Sequence, residues 1–368
     1  MKRLPAGLAA ALALVSGCST LAPDEYTRAV EAEVVPLEHV EQAALLTSRF
    51  VLPDAQTAVV GELQIMRTRH EDTFVDIARS YNLGFEELVA ANPGVDPWLP
   101  GEGTEIILPT RFMLPPGARE GIVVNSAQMR LYFFEPPAKD GTQVMYTHPI
   151  GIGRIGRATP TGQSTVIDKA TDPTWYPPAS VRREHAEAGD PLPGIVPPGP
   201  DNPLGRHVFR LGLPSYLIHG TNKPPGVGMR SSAGCVRMFP EDIEAIFPLV
   251  GRGTPVRLIS EPITVAWHDG QLYIDAHEFL EEDERDPETL LVELIEQTAE
   301  AADQPLGSVD FSRAAQLVRQ ARGIPLPSAR DRVDVGTYLS GVRRVENIVP
   351  LPELADEGQV ATSGEDAD

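Results

Sequence analysis

Cys235 lies in "SSAGCVRM" (231–238) and His219 in "IHGT" (218–221), sixteen positions apart. A sulfur nucleophile needs a thiolate, a base or positive neighbour to form it, and donors for the oxyanion. Gly234 leaves the approach to the sulfur open and tolerates backbone angles closed to other residues. The N–H groups near Gly234 and Cys235 are candidate oxyanion donors. The loop "GTNKPPGVGMRSSAG" holds two prolines and four glycines, so it can turn back and bring cysteine and histidine together. On spacing alone a Cys/His pair is a weak signal, and a packed thiol with a hydrogen-bonded core histidine is the default reading.

Other chemistry is weaker. "GIGRIG" (151–156) has the spacing of a dinucleotide fingerprint, but "RATPTG" follows it, and Pro160 and Gly162 cannot open the helix that such a site needs. His148, His185, His207, His268 and His277 show no metal-ligand spacing. Neither a metal nor a cofactor is expected.

A formal charge of −21 over 368 residues leaves no basic excess to neutralise phosphates, which argues against nucleic acid. Thirty-six prolines predict many turns and few long helices. The N-terminus "MKRLPAGLAAALALVSGCST" has a positive start and an apolar run too short to span a bilayer, as in a secretory signal peptide over 1–17. Its "VSGC" resembles a bacterial lipobox, which implies a lipid on Cys18 and a membrane anchor. Ser19, not being aspartate, implies the outer rather than the inner membrane of the periplasm. Cys235 is then a lone thiol in an oxidising compartment, a candidate reactive group.

The elements that must position the site follow from periodicity. Residues 18–61 read as a lipidated N-terminus and linker with enough apolar residues to be partly ordered. Across 62–109, "ELQIMRT" alternates, "DTFVDIARSYN" and "FEELVAAN" carry helical spacing, and "TEIILP" closes: a small βααβ unit. It resembles a LysM domain, which implies binding to the glycan of peptidoglycan. From 117 to 260 short strands alternate with Gly, Pro, Asp and Asn, with one helical patch, "PEDIEAIFPLV", after the cysteine. A strand pair over 261–280 follows. Residues 281–368 read as helical segments and an acidic tail, "LADEGQVATSGEDAD", of disordered composition.

The string "IHGTNKPPGVGMRSSAGCVRM" resembles the active-site motif of the L,D-transpeptidase (YkuD-type) catalytic domain, as do "MRLYFF", "TPTG", "PTWYPP", "VPPGPDNPLG" and "WHDGQLYIDAH". The resemblance implies a mainly β catalytic domain, a β-sandwich with a short helix after the nucleophile. It implies that Cys235 forms a thioester with a tetrapeptide stem of peptidoglycan at its diamino acid, releasing D-Ala. The acyl group then passes to an amine of another stem or of a wall-attached lipoprotein. His219 would be base and then acid, oriented by a carbonyl near Gly220, and Gly234 would serve the oxyanion site. Arg237 would hold a substrate carboxylate, against a structural ion pair with Glu241 or Asp242. Ser232, Thr221 and Thr159 would shape the substrate groove. Carbapenems would acylate the cysteine. Two other readings stay open: the same acyl-enzyme with water as acceptor, giving a carboxypeptidase or amidase, and an inert wall-binding tether. The departure is Ala233, where the family pattern usually carries a second histidine.

Overall fold

The computed structural model of the chain describes residues 42–45, 48–268, 270–328 and 335–351. The signal-peptide stretch 1–17, Cys18 and the acidic end from 352 lie outside the described residues.

The N-terminal part begins with β1 (Arg49–Leu52) and β2 (Val59–Gly61), then β3 (Gln64–Arg67), α1 (Phe74–Ser80), α2 (Phe85–Ala91), β4 (Glu105–Leu108) and β5 (Arg111–Met113). α1 starts where the Thr73 hydroxyl accepts from the Asp76 N–H, and it buries Phe74, Ile77 and Ala78 at helical spacing. It stops at Asn82, which takes a left-handed φ of 56°. At the start of α2 the Glu87 carboxylate accepts from the Gly84 N–H at 2.9 Å.

The catalytic region runs through β6 (Gly121–Asn125), β7 (Arg130–Phe134), β8 (Gln143–Pro149), β9 (Ile152–Gly153) and β10 (Gly162–Thr171), then α3 (Ala179–Glu187) and β11 (His207–Leu211). β12 (Leu217–His219), β13 (Arg230–Ser232), β14 (Val236–Arg237), α4 (Pro240–Ile246) and β15 (Pro255–Ile259) complete it. Among the described residues the main sheet runs β1-β8-β7-β6-β15-β10-β11-β12-β14. β10 belongs to both halves: Gly162–Thr165 pairs with β15, and after a register shift between Val166 and Asp168 the strand continues along β11. A bulge of this kind bends a strand. The sheet therefore folds on itself, and Ile122, Leu131 and Leu258 of one half share a core with Phe209, Ile218 and Val236 of the other, capped by Ile243 and Ile246 of α4. The sandwich is one sheet turned at β10.

The C-terminal part holds β16 (Ile263–His268), β17 (Gln271–Ala276), α5 (Pro287–Ala301), α6 (Phe311–Gln320), β18 (Leu326–Pro327), α7 (Val335–Ser340) and β19 (Arg343–Arg344). β16, β17 and β18 form their own sheet, whose Ile263 and Leu272 pack on Leu291, Ile295 and Leu317 of the helices.

Three boundaries differ from expectation. β1, inside the stretch read as linker, pairs with β8 and lengthens the catalytic sheet, because Leu52 reaches a buried site beside Phe134 and Met145. The βααβ unit does not stand apart: Phe74, Ile77, Leu83 and Leu88 share one core with Val123, Tyr132 and Phe134 of the catalytic sheet. The C-terminal stretch is not only helical, since β19 returns as a parallel partner of β3 and buries Val345 and Val349 in that same core.

Candidate active site

The site is built on the last two strands of the sheet. β12 and β14 run parallel, with Ile218 opposite Val236 and His219 opposite Arg237. Ile218 and Val236 point into the sandwich core. Alternation along a strand then sends His219 and Arg237 to the opposite face, and Cys235 sits in the bend directly before β14. This juxtaposition needs no long-range coincidence once the fifteen-residue loop 220–234 is closed.

The loop around Cys235 is tightly braced. Gly234 has φ 110°, and a Cβ there would lie 3.1 Å from the Tyr216 ring. The Ser232 hydroxyl donates to the Cys235 carbonyl at 2.6 Å and accepts from the Gly234 N–H at 3.1 Å. Thr159 donates to the Gly234 carbonyl at 3.1 Å and accepts from the Gly153 N–H at 3.0 Å. Thr221 accepts from the Lys223 N–H at 2.9 Å and shapes the turn after the histidine. The hydroxyls expected on substrate are thus engaged with the loop backbone. The Gly234 N–H, expected as an oxyanion donor, instead donates to the Ser232 hydroxyl.

His219 is buried, and its Nδ1 lies 2.6 Å from the Gly220 carbonyl. That carbonyl can only accept, so Nδ1 carries the proton and Nε2 is left as the basic atom. Burial, reinforced by the Arg237 charge and opposed by the Gly220 carbonyl, pulls the imidazole down to about 4. Burial also pushes the Cys235 thiol up, against the Leu217 backbone N–H and the Arg237 charge. The half-buried sulfur sits 3.6 Å from the Ser215 carbonyl. Both shifts favour the neutral form of each group.

Arg237 meets no carboxylate within ion-pair distance among the described residues. Its Nη1 donates to the Ser231 hydroxyl at 3.1 Å, and its buried Nε has no partner. The structural ion pair weighed above is overturned: Glu241 binds Arg79 at 2.8 Å and Asp242 binds His148 at 3.0 Å. A cation this enclosed and uncompensated is poised for an anion from outside.

Two neighbours escaped the sequence reading. Tyr216 and Ser215 line the approach to the sulfur, and nothing in "LPSY" marks them. α3, inserted between β10 and β11, is tied through Glu184 to Arg154 and Arg157 of the loop beside Gly234. A cavity of about 510 Å³ lies behind Thr159, lined by Ile152, Leu258, Leu280 and Arg230, and none of Cys235, His219 and Arg237 faces it.

A family model described as the L,D-transpeptidase catalytic domain matches residues 119–258. The chain is 39% identical over 293 residues to the probable L,D-transpeptidase YcfS of Escherichia coli, covering 78% of this chain and 90% of that protein. It is 37% identical over 292 residues to the probable L,D-transpeptidase ErfK/SrfK of Salmonella typhimurium, covering 76% and 91%. The probable L,D-transpeptidase YbiS of Escherichia coli is 41% identical over 232 residues, covering 62% and 74%.

Proposed function

The chain belongs to the L,D-transpeptidase family, and from that premise we propose how its own residues carry out peptidoglycan remodelling. His219 Nε2 takes the Cys235 proton as the sulfur attacks the stem carbonyl at the diamino acid. The oxyanion forms next to the Cys235 N–H. Collapse breaks the C–N bond, His219 returns the proton to the departing D-Ala amine, and a thioester remains. An acceptor amine then attacks the thioester, gives its proton to His219 and releases the thiol. Arg237 holds a stem carboxylate. The observation that supports this reading is the pairing of His219 with Arg237 on a non-core face, with Cys235 in the bend before β14 within reach of the Arg237 charge and the imidazole fixed on the Gly220 carbonyl. Ala233 fits the scheme, because a buried histidine with one free nitrogen already supplies the base.

The test has two arms. Intact mass after incubation with a carbapenem should show one covalent adduct, on Cys235. Disaccharide-tetrapeptide should yield cross-linked dimers. Truncated monomers alone would mean water is the acceptor, and neither adduct nor product would leave an inert tether.

The βααβ unit is assigned to wall glycan, as in LysM domains. Trp98, 57% exposed and tilted against Phe85 at 5.6 Å between ring centroids, with the exposed Leu99, offers the apolar surface that a sugar face needs. Trp98→Ala should lower co-sedimentation with sacculi while leaving carbapenem acylation intact. A lipid on Cys18 would hold the enzyme at the periplasmic side of the outer membrane, and Cys18→Ala should abolish palmitate labelling.

A further inference from the structure

The first N–H groups of a helix have no partner within it, and at α2 one of them is satisfied by the active-site loop. The Glu86 N–H donates to the Gly228 carbonyl at 3.0 Å, and the Arg230 N–H donates to Glu86 Oε1 at 3.4 Å. Gly228 takes φ 75°, and a Cβ there would stand 2.3 Å from Gly84 Cα, so the two backbones touch. Just before Gly228, a Cβ on Gly226 would stand 2.6 Å from Arg237 Nη1, and the Gly226 carbonyl accepts from the same Ser231 hydroxyl that Arg237 contacts. Just after it, β13 leads to Ser232, which braces the nucleophile. On the other side of Cys235, Arg79 of α1 donates through Nε and Nη2 to the two carboxylate oxygens of Glu241 at the start of α4.

We propose that Glu86 is a positioning residue for the transfer reaction: through Gly228 and Arg230 it sets the loop wall that holds Arg237 beside Cys235. The βααβ unit is then a structural part of the catalytic site as well as a wall-binding element. The inference rests on the placement of Arg237 in the proposed mechanism.

The experiment compares Cys235 alkylation by iodoacetate and iodoacetamide in the full chain, by peptide mapping. The ratio of the two rates reports the cation beside the sulfur and requires no turnover. Arg237→Met should lower the ratio by roughly three- to tenfold. Glu86→Ala should lower it by most of that factor, Glu86→Gln, which keeps an acceptor for the Arg230 N–H, should restore it, and Glu86→Ala with Arg237→Met should fall no further than Arg237→Met. A folded Glu86→Ala protein with the wild-type ratio would overturn the proposal, as would additive losses in the double variant. If the wild type gives neither carbapenem adduct nor product yet these ratios hold, the mechanism fails and the placement of Arg237 by Glu86 stands.

Discussion

His219 and Arg237 are matched residue for residue across the parallel ladder of β12 and β14, and the cation reinforces what burial begins: the imidazole rests neutral. The sulfur next door is neutral for the same first reason, burial. Both shifts favour a neutral thiol and a neutral imidazole over a standing ion pair.

Alkylation of Cys235 by iodoacetamide tests this. With the thiol raised above its ordinary value of 9.0 and the imidazole near 4, the rate should keep climbing beyond pH 9. A flat, high rate between pH 5 and 8 would show a resting thiolate–imidazolium pair instead.

His219 also couples folding to acidity. Its folded value of about 4 lies below roughly 6.5 in the unfolded chain, so the unfolded state binds more protons between those limits. Stability is then fully present above pH 6.5 and falls as pH drops towards 4. Urea unfolding at pH 7 and pH 4.5 should show that His219→Gln removes about 2 kcal/mol of the wild-type loss. An unchanged pH slope in the variant would refute the buried neutral histidine.

Arg237→Met should raise KM for a stem with a free carboxylate roughly ten- to a hundredfold, the worth of a hydrogen-bonded charge contact. An amidated stem should be nearly indifferent to the change. Arg237→Lys should recover only part of the loss, since the planar fork is gone. Equal losses on both stems would remove the carboxylate from the role given to Arg237.

Arg130 and Glu87 form an ion pair at 2.7 Å, with side chains 2% and 6% exposed, between β7 and α2. Glu87→Ala strands a buried guanidinium and should cost roughly 3–5 kcal/mol by denaturant unfolding. Replacing both partners with apolar residues should recover most of that. A loss below about 1 kcal/mol for Glu87→Ala would mean that water reaches the arginine.

The strands around the cysteine and the helix after it were legible because alternation, Gly/Pro punctuation and a specific motif coincide there. The fold of the sheet at β10 was not, since a bulge between Val166 and Asp168 leaves no local mark beyond an exposed Ile167. β1 and β19 were missed for a related reason: four- and two-residue strands gain their stability from a distant partner and not from their own pattern. The roles of Ser232, Thr159 and Thr221 were readable only as "near the site". Which way a hydroxyl points depends on backbone angles such as that of Gly234.

The parallel pairing of Arg343–Arg344 with Gln64–Arg67 has a consequence for biogenesis. Residues 64–67 leave the ribosome and any export channel long before 343–344, so one edge of the N-terminal sheet travels unpaired while the rest of the chain is made. Chaperones that hold the emerging chain would have that edge to shield, and a chain cut short before residue 343 would arrive with its nucleophile but without this closing strand.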